Sequence, residues 1–96
     1  MDQKYLDQIN EIMDYFDFAE VAKTMKALNW CWYPSTEAPN EPEIRTFARN
    51  QLTSFVKMIE EDKDTSYVCC GGFKSSVHNG FLKLEFVVSS WDTTDW

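Results

Sequence analysis

The chain has 96 residues, enough for one domain and too few for two. Aromatic residues make up 16% of it, so a small core has large rings to bury, and intrinsic disorder is excluded. A net charge of −7 disfavours direct contact with a nucleic-acid backbone or an anionic membrane and favours a partner with a basic surface.

Residues 3–28 read as helical. Leu6, Ile9, Met13 and Phe16 recur at three- and four-residue steps, with Tyr5 and Ile12 widening the stripe, which is the pattern of an amphipathic helix. Asp7, Glu11 and Asp14 share another face at the same spacing. Asp17 can then cap a second helix, with Glu20 completing a capping box, unless the two helices are one bent helix. Val21, Ala22, Met25 and Leu28 form its apolar face. The ring-rich stretch 29–33 suggests a short extended segment, with Trp30 and Trp32 packed inward. Residues 34–40 form a loop rich in proline.

Asn40 starts a third helix over 41–61, with Pro42 and two acids in its first turn. Ile44, Phe47, Ala48, Leu52, Phe55 and Ile59 mark its buried side. Residues 66–90 then read as a β-hairpin turning at Asn79-Gly80, the strongest short-range hairpin signal. Gly71-Gly72 interrupts the first strand as a bulge or a point of close backbone approach. Leu82, Leu84, Phe86 and Val88 share the face expected against the helices. Residues 91–96 form an aromatic tail with Trp91 and Trp96. The fold class is α+β, with two or three helices on a small antiparallel sheet built around the hairpin.

No motif for catalysis emerges. His78, the single histidine, lies beside a turn with no nucleophile elbow near it, and no carboxylate pair stands out from the others. Cys31, Cys69 and Cys70 lack metal-ligand spacing and read as buried small hydrophobes. Asp62 and Asp64 lack the glycine and terminal glutamate of a calcium loop. No enzyme activity, metal or cofactor is therefore expected. The odd cysteine count, the absence of a long apolar run and an N-terminus without a signal-peptide pattern point to a reducing cytosol.

The segments Ala27-Leu28-Asn29-Trp30-Cys31-Trp32, Gly71-Gly72-Phe73 and Phe86-Val87-Val88-Ser89-Ser90-Trp91-Asp92 together resemble a group of small bacteriophage proteins. Those carry the same pieces in the same order, with an arginine-bearing helix between; here that helix holds Arg45 and Arg49. The resemblance covers about two-thirds of the chain. It implies a phage product acting in the host bacterial cytosol, where small acidic proteins bind and inhibit host proteins, including defence and nucleic-acid-handling machinery. It supplies no residue roles.

The first expectation is thus a protein-binding role, with Asp7, Glu11, Asp14, Trp91 and Trp96 meeting a basic host protein. A second is a small-molecule or nucleotide sponge using Trp30, Trp32, Arg45 and Arg49. A third is self-association through an uncovered edge of the hairpin.

Overall fold

Each helix starts on a side chain that accepts a hydrogen bond from an otherwise unpaired first-turn amide. The computed structural model describes residues 2–31, 36–61 and 65–87. Helix α1 (Gln3–Tyr15) begins at Asp2, whose carboxylate accepts from the Lys4 amide at 3.1 Å. Phe16 is extended, so α1 stops there, and Asp17 starts α2 (Phe18–Ala27) by accepting from the Glu20 amide at 3.1 Å. The chain therefore forms two helices and not one bent helix. Helix α3 (Glu41–Glu60) carries the full reciprocal box: Asn40 accepts from the Glu43 amide at 3.1 Å, and Glu43 accepts from the Asn40 amide at 3.4 Å.

The start of the ring-rich stretch differs from expectation. Asn29 takes a left-handed conformation, φ 54°, and ends α2. Its amide donates to the Lys26 carbonyl at 3.2 Å and the Trp30 amide to the Met25 carbonyl at 2.8 Å. This is a Schellman cap, whose hydrophobic partner is the half-buried Trp30 packed on the core that includes Met25. Residues 29–31 thus close a helix; Trp32 and Tyr33 lie outside the described residues.

The last third forms three strands, β1 (Tyr67–Cys70), β2 (Phe73–His78) and β3 (Phe81–Phe86), in an antiparallel sheet of order β1-β2-β3. The fold is α+β as the sequence implies. Asn79-Gly80 is the tight turn expected, with φ 52° and 80°. Gly71-Gly72 is not a bulge but a second tight turn, with φ 62° and 95°, so the first expected strand is two strands. Positive φ at both central residues matches the right-handed twist of the flanking strands. Close approach at this pair is real, though to a side chain: a Cβ on Gly71 would collide with the Phe47 ring.

The core joins Ile9, Ile12 and Met13 of α1, Phe18, Val21 and Met25 of α2, and Ile44, Ala48, Leu52, Phe55 and Val56 of α3 to Phe73, Leu82 and Leu84 of the sheet. Phe73 sits at its centre, within 5.7–6.3 Å, ring to ring, of Phe16, Phe18, Phe47 and Phe86. Gln51 holds α3 at a fixed height under the sheet, its Nε2 donating to the Val68 and Phe73 carbonyls at 3.3 and 3.2 Å. Three expectations fail at the surface. Leu6 and Leu28, assigned to apolar faces, are exposed, because one lies on the flank of α1 and the other is the C-cap of α2. Cys31, Cys69 and Cys70 are all exposed free thiols: Cys31 follows the α2 cap and the other two sit on a short edge strand.

Replacing Phe73 with alanine removes the ring on which four others pack, and is expected to lower unfolding free energy by about 3–5 kcal/mol in urea titration. Gly71→Ala must hold an L-residue at positive φ against Phe47, with an expected loss of about 1–3 kcal/mol by the same measurement.

Candidate protein-binding surface

Helix α1 has its apolar stripe in the core, which forces its polar residues outward. Asp7, Glu11 and Asp14 are all exposed on that outward side, so the expected acidic face is presented to solvent. Asp7 accepts a hydrogen bond from Gln3 Nε2 at 2.8 Å, within the same helix. Two ion pairs form among the described residues, Arg45–Glu41 and Lys83–Glu85, and none of the three α1 carboxylates takes part in them.

The helix is fixed at several points. At its start, the Asp2 amide donates to Glu60 Oε2 at 2.7 Å, tying it to the end of α3. In its middle, Arg49 Nη1 of α3 donates to Asn10 Oδ1 at 3.2 Å. On its sheet side, the Gln8 amide grips β3: Oε1 accepts from the Leu82 amide at 2.7 Å and Nε2 donates to the Gly80 carbonyl at 3.1 Å. The side chain thus stands in for a neighbouring strand. Gln8 was not singled out from the sequence, because a polar residue between the acidic and apolar stripes has no signature until the sheet is placed beside it.

The two arginines are held differently. Arg45, half-exposed, is held at three points: Nη1 donates to the Met13 carbonyl at 3.3 Å, Nε pairs with Glu41 at 3.2 Å, and the guanidinium lies 4.9 Å from the Phe18 ring centre. Arg45 and Arg49 share a shallow cleft of about 300 Å³ with Met13, Asp14 and Thr46. Trp30 is not among its lining residues. Asp14 of the acidic face thus lines the same cleft as the two arginines. Trp32, Trp91 and Trp96 lie outside the described residues.

The outer face of the sheet is the other exposed surface. Tyr67 and Phe81 are 57% and 71% exposed there, large for aromatic rings. Lys74 lies over the Tyr67 ring at 5.0 Å. Lys83 and Glu85 pair at 2.8 Å; that contact holds the Glu85 carboxyl below its usual range and the Lys83 ammonium above its own. An exposed pair of this kind adds little to stability.

Among the described residues, no group of histidine, cysteine and carboxylate side chains is placed to hold a metal, and no helix is long and apolar enough to cross a membrane. Compared with known proteins, the chain matches no family model, no curated protein and no solved structure.

Because Arg45 bridges α1, α2 and α3, Arg45→Ala is expected to lower stability by about 1–2 kcal/mol, read as a shift in the urea midpoint. Arg49→Ala, exposed and with one neutral partner, is expected to stay within about 0.5 kcal/mol of the wild type.

Proposed function

We propose that the chain is a protein-binding module and not an enzyme, and that its contact surface is the outward face of α1. Asp7, Glu11 and Asp14 meet a basic patch on the partner. On the resemblance to small phage proteins, the partner is a host protein, and occupying its basic patch inhibits or modulates it. The observation that carries this reading is the pinning of α1. Its carboxylates are held about 10 Å end to end along a helix anchored to α3 and β3, so little ordering is needed on docking.

A basic patch that binds nucleic acid is a natural target for such a row, since fixed carboxylates can occupy the place of phosphates. Steering between opposite charges speeds encounter and weakens with salt over a Debye length of about 8–10 Å. Trp91 and Trp96 would add aromatic anchors, the residue type enriched at binding hot spots.

The test is paired capture from bacterial lysate with the wild type and with Asp7→Lys/Glu11→Lys/Asp14→Lys, quantified by mass spectrometry at two salt concentrations. We expect a protein with a basic surface that is retained by the wild type, depleted at the higher salt and lost with the triple variant. Equal retention by both proteins would overturn this placement of the surface.

A further inference from the structure

The two edges of the sheet are not equivalent. The two-residue turn at Gly71-Gly72 makes Cys70 and Phe73 a hydrogen-bonded pair, and the Val77 amide donates to the Ser66 carbonyl at 3.2 Å. The same alternation turns Val68 toward β2 and leaves the amides and carbonyls of Tyr67 and Cys69 pointing away from the sheet. On the far side, the Val87 amide donates to the Gly72 carbonyl at 2.8 Å, so it is the backbone amides and carbonyls of Leu82, Leu84 and Phe86 that point away from β2. That edge begins with Leu82, whose amide Gln8 already holds, and α1 lies beside it. Among the described residues, β1 is the edge that nothing caps, and Tyr67, Cys69 and Cys70 are exposed on it.

Beneath this edge, between β1 and α3, runs a cleft of about 400 Å³ with Phe47, Phe55, Met58, Val68 and Cys70 in its lining. Among the described residues, no charged side chain lines it. That matters in a chain of net charge −7. Residues 65–87 hold Lys74, Lys83 and Glu85 as their only Lys, Arg, Asp or Glu side chains, whereas 13 of the 16 acids precede Tyr67. Its described lining gives a basic partner nothing to pair with and places no carboxylate against a second acidic copy.

We propose that β1 is a dimerisation edge. Two copies pair their β1 strands antiparallel about a two-fold axis, making one six-stranded sheet and closing each α3–β1 cleft against the other copy. With Val68 on the axis, the edge groups of Tyr67 in one copy meet those of Cys69 in the second, and the reverse, forming four hydrogen bonds. Val68 then packs on Val68 of the second copy over the cleft side of the sheet. Such an isologous contact is self-complementary and closed. Pairing stops at two, because Gln8 and α1 obstruct the outer edges of the enlarged sheet. A standard interface needs about 800 Å² from each partner, roughly an eighth of the 6438 Å² surface of this chain. A four-residue strand alone is short for that, so the α3 side of the cleft, with Met58 and Phe47, forms part of the contact.

The experiment is light scattering coupled to gel filtration across a concentration series in reducing buffer, which removes disulfides between the exposed thiols. The wild type is expected to approach twice the 11.3 kDa chain mass at the upper concentrations. Cys69→Pro removes an edge amide that makes no bond to β2, so it should keep the circular dichroism of the wild type while eluting as a single chain. Met58→Glu, which puts a charge in the cleft, should do the same and covers the case in which the proline variant does not fold. A wild type that stays a single chain throughout, or a dimer that survives in the folded variants, would overturn the proposal. Neither result bears on the α1 surface.

Discussion

The contact on which the structure depends is the packing of four phenylalanine rings around Phe73. Phe16 and Phe18 bring the junction of α1 and α2 to it, Phe47 brings α3 and Phe86 brings β3. One β2 side chain therefore meets rings from the α1–α2 junction, from α2, from α3 and from β3. In a chain this short the margin for burying apolar area is thin, and large rings meeting edge-on or tilted fill it efficiently. The break at Phe16–Asp17 follows from this arrangement. A continuous helix would place residues 16 and 18 on different sides, about 200° apart, whereas the extended Phe16 lets both rings face Phe73.

Placement of α1 is the second constraint. It lies against α3 on one side and β3 on the other, bonded to α3 by the Arg49 side chain and to the backbone of the sheet by its own Gln8. The Gln8 amide satisfies backbone groups at the start of an edge strand and so does two jobs: it ends the sheet and fixes the helix. The acidic face is outward because the opposite face is committed to Ile9, Ile12 and Met13. Its exposure is thus a by-product of how the core is closed.

Much of the fold was legible because local chemistry governs it. Asp17, Asn40 and the Asn79-Gly80 turn act within four residues of themselves, and each sits where its type implies. The acidic stripe was legible for the same reason, since helical spacing alone separates Asp7, Glu11 and Asp14 from the apolar side. Misreadings arose where two local meanings compete. A Gly-Gly pair serves a bulge or a hairpin turn equally well, and only pairing partners on both sides decide. An Asn before Trp can enter a strand or end a helix; here the left-handed Asn29 and the Met25 carbonyl decide. Cysteines are more often buried than not, but an edge strand of four residues has too little cover for them. Gln8, Gln51 and the packing of Arg45 were out of reach, because their partners are 17 to 74 residues away in the chain.

The two tight turns also shape how the molecule comes together in time. They make every strand pairing a contact between near neighbours, with no crossover to thread. Such hairpins form on a scale of microseconds, and topologies dominated by local contacts reach the native state quickly. Phe73 stays unburied until Phe16, Phe18 and Phe47 reach it. A folding nucleus centred there would join both halves of the chain at once, so neither the helices nor the meander has a stable existence to wait in alone.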